Sequence, residues 1–70
     1  MPFVSIKFVK ENIAADPEGK RTRIADRVAQ VVSEEMGVTK QEVWVTFEGI
    51  PSSDFYLGRE SVASIRATKK

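Results

Sequence analysis

Two short segments of alternating apolar residues, separated by one long helical pattern, limit what this 70-residue chain can fold into. The first segment runs from Phe3 to Val9 and the second from Val43 to Glu48, and their period of two predicts a β-strand in each. Between them, Asp16 and Pro17 are residue types typical of a helix start, and Gly37 is typical of a helix end. A strand, a long helix and a strand form a βαβ unit, whose two strands lie parallel in one sheet.

The helical segment has an apolar stripe that we expect to pack on one face of this sheet. Its members recur at helical spacing and are Ile24, Val28, Val31, Val32 and Met36, with Ala25 and Ala29 alongside. One helix covers only one face of a two-stranded sheet. The opposite face would carry Phe3, Val9 and Trp44, which is more apolar area than a monomer normally leaves in water. The sequence therefore predicts that a partner subunit covers this face.

The residues after the second strand predict a short closing region rather than a second domain. Gly49 and Pro51 predict the end of the strand. The segment from Phe55 to Gly58 suggests a short hairpin, and residues 61–66 suggest a helical turn. No repeat, linker or low-complexity segment interrupts the chain, so we expect a single α/β domain over residues 1–70.

The chain contains neither histidine nor cysteine. Disulfides, a thiolate nucleophile, a zinc finger and any Ser-His or Cys-His pair are therefore excluded, and we expect no metal site. The formal net charge of +1 provides no strong positive field, so nucleic acid is not an expected partner. No apolar run approaches the roughly 18 residues of a membrane span, and no charged leader precedes an apolar stretch. These features predict a cytoplasmic protein without a membrane partner.

Pro2 is the residue that could supply a proton-transfer group without histidine. If Met1 is removed, Pro2 becomes a terminal secondary amine at the start of a strand. Such an amine is protonated at neutral pH unless burial disfavours its charged form and lowers its pKa. A buried terminal proline could then move protons or attack carbonyl carbons. A proline in second position is also compatible with no chemical role.

From Pro2 to about residue 62, the chain resembles the 4-oxalocrotonate tautomerase family. The resemblance combines the terminal proline, the strand that follows it directly, the long helix, the parallel strand and a closing segment, Pro51 to Gly58, that contains an aromatic residue and a glycine. It implies that Pro2 is the catalytic general base and acid of a cofactor-independent tautomerase or isomerase acting on a small enol or α-keto acid. It also implies homo-oligomers, in which two βαβ units form a four-stranded sheet and three such dimers usually form a hexamer.

The two arginines that usually complete the pocket in this family are absent from their expected positions. The first falls at or near Asn12, where the loop is longer, and the second falls on Trp44. An indole offers one N–H donor and cannot replace a bidentate guanidinium, so the sequence does not favour a dicarboxylate substrate. Phe55 aligns with the aromatic wall residue of the family. The candidate replacement cations are Lys10 and Arg59, followed by Arg21 and Arg23.

The sequence is compatible with other functions. The chain could be a non-catalytic or helper subunit of a mixed hexamer with a paralogue, retaining the fold without the arginines. Related proline-dependent enzymes add water, remove halide or decarboxylate, and the sequence does not separate these reactions from isomerisation. Lys20, Arg23 and Arg27 share a helix face and could attract phosphate, but Asp26 beside them favours an ordinary solvated face.

Overall fold

Parallel pairing of the two long strands organises the fold. Strand β1 (Phe3–Val9) lies beside strand β2 (Trp44–Ile50), with Phe3 opposite Trp44 at one end and Val9 opposite Ile50 at the other. Helix α1 (Pro17–Met36) connects them. This computed structural model describes residues 1–68. The predicted βαβ unit is confirmed, because the two strands are parallel and one long helix joins them.

Helix α1 begins and ends where the capping residues predict. Asp16 has a left-handed backbone conformation (φ 61°), and its side chain accepts a hydrogen bond from the N–H of Gly19 at 3.2 Å. Pro17 occupies the first turn, where its missing N–H leaves no hydrogen bond unmade. At the other end Gly37 is also left-handed (φ 71°), and its N–H donates to the carbonyl of Ser33. Glycine adopts that conformation without steric cost, so the helix ends there.

Strand β2 begins and ends later than the sequence predicted. Val43 precedes the strand and follows a short 3₁₀ helix (Lys40–Glu42), whereas Gly49 continues the ladder opposite Phe8. A Cβ atom at Gly49 would lie 3.2 Å from Cζ of the Phe8 ring. The glycine therefore permits a close approach between strands, and the prediction that it ends the strand was wrong.

The apolar stripe of α1 only partly faces the sheet. Ala29 is buried and Val28 is half-buried, so this side of the helix packs inward. Three residues that the sequence placed in the same stripe are exposed: Ile24, Val31 and Met36. At about 100° per residue, Ile24 lies roughly 140° around the helix from Ala29. Val31 lies roughly 160° from Ala29, so the prediction was wrong for Ile24 and Val31 because both point away from the packed face. Met36 lies only about 20° around the helix from Ala29, and it is exposed as the last residue of α1.

The sheet face away from α1 is open at the end where the strands begin. Phe3 is 70% exposed and Trp44 is 49% exposed, and their rings meet edge to face with centroids 5.2 Å apart. Val9, which the sequence placed on the same open face, is buried at 8% exposure. This part of the prediction was wrong: Val9 is the last residue of β1, where the chain turns into a 3₁₀ helix (Lys10–Ile13), and it is enclosed within the single chain.

The C-terminal part forms the predicted hairpin and then a second helix. Strands β3 (Tyr56–Leu57) and β4 (Glu60–Ser61) are antiparallel, with Gly58 left-handed (φ 67°) in the turn between them. Helix α2 (Val62–Thr68) follows and is longer than the predicted helical turn. Among residues 1–68, no helix is both long enough and apolar enough to cross a membrane.

Few side chains are enclosed within the single chain. Within residues 1–68, the buried apolar residues are Val9, Ala29 and Val43. No large side chain in this part of the chain is fully buried. The radius of gyration is 15.1 Å, with extents of 45 × 26 × 16 Å. A compact domain of this length has a radius of gyration of about 11 Å. The single chain is therefore elongated, and its core is incomplete.

Candidate active site

Pro2 and Trp44 lie together where the parallel sheet begins. The carbonyl of Pro2 accepts a hydrogen bond from the N–H of Trp44 at 3.0 Å. Pro2 is half-buried, and the alternation of β1 places it on the same side of the sheet as Phe8. Its nitrogen is bonded to Met1 and is an amide, so it becomes a basic amine only after Met1 is removed. The predicted catalytic residue and the indole at the second arginine position are therefore neighbours.

A cavity of about 850 Å³ lies at the opposite end of the sheet, between the carboxyl ends of the strands and the start of α1. We call it the strand-end cavity. Its apolar walls include Phe8, Ile13, Pro17, Phe47 and Pro51. Its charged lining residues are Lys10, Glu11 and Arg21. The carboxyl ends of parallel strands commonly bind ligands, so this cavity is the candidate substrate pocket.

The carboxylate of Glu11 binds the segment that follows β2. Its Oε1 accepts a hydrogen bond from the N–H of Ser52 at 2.9 Å, and its Oε2 accepts one from the Ser52 hydroxyl at 3.2 Å. The pKa of Glu11 is lowered, first by its own backbone N–H and then by the backbone N–H of Ser52. Glu11 therefore stays ionised at neutral pH, and both of its oxygens already accept hydrogen bonds from Ser52.

Asn12, the next residue of the 3₁₀ helix, binds an arginine from the far end of the chain. Nη2 of Arg66 donates a hydrogen bond to Oδ1 of Asn12 at 2.7 Å. A guanidinium thus lies where the family resemblance expects one, although it comes from α2. Sequence reasoning missed Arg66 because 54 residues separate it from Asn12 and no local pattern connects the two.

The two C-terminal candidates lie in and beside the hairpin. Phe55 is half-buried just before β3, and its carbonyl accepts a hydrogen bond from the N–H of Val62 at 2.7 Å. Arg59 is exposed in the turn beside Gly58. In the described part of the chain, no hydrogen bond or ion pair joins Arg59 to another candidate residue. Substrate-binding roles for Phe55 and Arg59 stay predictions.

Pro2 and Lys10 cannot share a pocket within one chain. The extended strand between them spans about 26 Å, at roughly 3.3 Å per residue. The fold brings Pro2 next to Trp44, and it brings Lys10 and Arg21 into the strand-end cavity. It leaves these two groups at opposite ends of the sheet. A site that contains both groups requires two chains.

The βαβ unit with its closing hairpin is the fold of the tautomerases. The sequence model of the tautomerase enzyme family matches residues 2–65, and the chain belongs to this family. The crystal structure of DmpI from Helicobacter pylori is similar, with 28% sequence identity, a TM-score of 0.78 and coverage of 96% of this chain and 98% of that one. No curated protein matches the chain. The tautomerase part of the resemblance is thus confirmed, and the finer assignment to the 4-oxalocrotonate tautomerase family stays a prediction.

Proposed function

We propose that this chain is a tautomerase or isomerase of the 4-oxalocrotonate tautomerase type, which moves a proton in a small enol or α-keto acid. Pro2 is the general base and acid once Met1 is removed. The observation that carries this proposal is the half-buried position of Pro2 directly before β1, in a chain of the tautomerase family. Burial of a terminal amine disfavours its charged form, and a base is most effective when its pKa is near the working pH.

In this proposal a second copy of the chain completes the site. Within residues 1–68, strand β1 pairs with β2 alone, so its other edge can pair with β1 of another copy. Antiparallel pairing with full overlap of the two strands is centred on Ile6. It places Pro2 of one copy opposite Lys10 of the other, with both side chains on the same face of a four-stranded sheet. Pro2 then borders the strand-end cavity of its neighbour.

The exposed area of the single chain supports such an assembly. The chain exposes 5341 Å², whereas a compact monomer of 7.8 kDa exposes about 4400 Å². The excess of about 1000 Å² is comparable to the roughly 800 Å² that each partner buries in a standard interface. The exposed rings of Phe3 and Trp44 are apolar surface that a partner would cover. We expect a dimer, or a hexamer made of three such dimers.

The substitution Pro2→Ala tests the proposed mechanism. We expect the purified chain, with Met1 removal verified by intact mass, to convert phenylenolpyruvate or 2-hydroxymuconate to the keto form. General acid–base catalysis contributes about 100-fold or more, so Pro2→Ala should lose at least that much activity. Ser5→Ala, an exposed change in the same strand, is the matched control and should retain full activity. Full activity in Pro2→Ala would exclude the mechanism.

A helper subunit of a mixed hexamer is the second candidate function. The observation that favours it is the exposed indole of Trp44 at the position where the family resemblance expects an arginine. A trimmed chain that is inactive alone, but active after mixing with a paralogue, would support this function over the first. Water addition, halide release and decarboxylation by the same proline can be distinguished by product analysis with halogenated and β-keto acids.

A further inference from the structure

The strand-end cavity contains two cations that no carboxylate of residues 1–68 neutralises directly. Among residues 1–68, the ion pairs with atoms within 4.0 Å involve Arg23 and Lys40, and neither Lys10 nor Arg21 takes part in one. Both Lys10 and Arg21 line the cavity. A cation in a cavity wall without an anionic neighbour is available to bind an anionic ligand.

Glu11 lines the same cavity, but its carboxylate does not prevent Lys10 and Arg21 from binding an anion. Both of its oxygens accept hydrogen bonds from Ser52, at 2.9 and 3.2 Å. Two cations and one carboxylate give the charged lining a formal charge of +1. The donors of Lys10 and Arg21 are therefore the groups that an incoming anion would meet.

Arg21 is placed in the cavity by the geometry of α1. It follows Pro17 by four residues, so both side chains lie on the helix face that borders the cavity. Arg21 is half-buried, whereas Arg23 and Arg27 are exposed. A guanidinium that is partly removed from water binds a carboxylate more strongly, and it can do so through two parallel hydrogen bonds.

We infer that Arg21, with Lys10 on the same cavity, binds the carboxylate of a monocarboxylic substrate whose remaining part is apolar. The inference rests on the proposed function and names the substrate class of that site. Phe8 and Phe47 form an aromatic wall, with ring centroids 6.3 Å apart, against which an aryl or alkyl group can pack. A second carboxylate would meet apolar walls and the charge of Glu11, so a dicarboxylate fits this cavity less well.

Binding of trans-cinnamate, an unreactive aryl monocarboxylate, tests the inference separately from catalysis. Calorimetry at neutral pH compares cinnamate with cinnamamide, which has the same apolar part without the charge. We expect Arg21→Ala to weaken cinnamate binding about 10-fold or more, and to change cinnamamide binding less than about 2-fold. Arg21→Lys should lose less than Arg21→Ala, because it retains the charge but not the bidentate geometry.

The exposed Arg27 on the same helix provides the matched control, and Arg27→Ala should leave both affinities unchanged. An equal loss in Arg27→Ala and Arg21→Ala, or an unchanged affinity in Arg21→Ala, would overturn the inference. So would a wild-type chain that does not bind cinnamate. Circular dichroism and sedimentation show whether each variant is folded and assembled, which separates loss of the site from loss of the fold.

The experiment also separates this inference from the proposed mechanism. Because cinnamate does not react, its affinity reports on the carboxylate site without any contribution from proton transfer. Full activity in Pro2→Ala together with weak cinnamate binding in Arg21→Ala would exclude the proline mechanism and retain the carboxylate site. With a reactive monocarboxylate, Arg21→Ala should raise KM far more than it lowers kcat.

Discussion

Glu11 binds Ser52 with both carboxylate oxygens, one on the backbone N–H and one on the hydroxyl. Glu11 directly follows the first residue after β1, and Ser52 lies just beyond β2. The contact therefore joins the two chain segments that leave the carboxyl ends of the sheet. Because Glu11 and Pro51 both line the strand-end cavity, this contact also holds two parts of the cavity wall together.

The Glu11–Ser52 contact predicts a loss of stability in acid. The fold lowers the pKa of Glu11 from its ordinary value of 4.5. Its contribution to stability is therefore complete above that value and declines as the pH falls through the lower pKa of the folded state. We expect the melting temperature of Glu11→Gln to fall less than that of the wild type between about pH 6 and about pH 3.

A second carboxyl titrates in the same direction and must be measured separately. The pKa of Asp26 is lowered because its carboxylate accepts a hydrogen bond from Lys40 at 2.6 Å. Asp26→Asn is therefore the comparison variant. The double variant with Glu11→Gln should show a still smaller fall in melting temperature between about pH 6 and about pH 3. A wild-type pH dependence in Glu11→Gln would contradict the prediction.

We expect that replacing Gly19 with alanine does not stabilise the protein, although Gly19 lies in a helix. Glycine to alanine in an exposed helix usually stabilises a protein by up to about 1 kcal/mol. A Cβ at Gly19 would collide with the carboxyl group of Asp16, which caps α1. We expect Gly19→Ala to displace this cap, and the loss of about 1 kcal/mol should cancel the usual gain, so that urea denaturation shows no increase in the free energy of unfolding.

The variant Asp16→Gly provides the control for this prediction. Glycine tolerates the left-handed backbone of Asp16 and removes the colliding carboxyl group. In that background Gly19→Ala should become stabilising. If Gly19→Ala is stabilising in both backgrounds, the collision with Asp16 does not determine the effect.

The exposed pair of Phe3 and Trp44 is expected to lie in an interface between copies of the chain. Trp44→Lys introduces a charge on this apolar face, and we expect it to reduce the mass measured by light scattering at micromolar concentration. Gln30→Lys, which changes an exposed polar position of α1, should leave the mass unchanged. A wild-type chain with the mass of a monomer would contradict the prediction.

Asn12 and Arg66 are expected to act as one unit in holding α2 against the chain. Asn12→Ala and Arg66→Ala remove the same 2.7 Å hydrogen bond, so their effects should not add. We expect each variant, and the double variant, to increase hydrogen exchange in residues 62–68 by a similar factor. Arg59→Ala, at the exposed hairpin turn, should not change it. Additive effects of the two single changes would show that the residues act independently.

The main elements could be predicted because their causes are local. Helix α1 starts after Asp16 and ends at Gly37 as the sequence predicts, since caps involve groups three or four residues apart. The end of β2 could not be predicted in the same way. Gly49 continues the strand because the Phe8 ring of the other strand lies against it, and that contact has no counterpart in the local sequence. Ile24 was assigned to the packed face for a similar reason, since periodicity does not specify which part of a stripe meets the sheet.

The sequence by itself determined the βαβ unit, the closing hairpin, a proline directly before β1 and the match to the tautomerase family. Only the tertiary structure decided which side chains meet. It separated Pro2 from Lys10, brought Arg21 into the strand-end cavity and joined Arg66 to Asn12. Alternation and capping operate over a few neighbouring residues, whereas these contacts depend on how distant segments pack. The candidate base and the candidate cations are therefore visible in the sequence, but only the fold shows that Lys10 and Arg21 line one cavity.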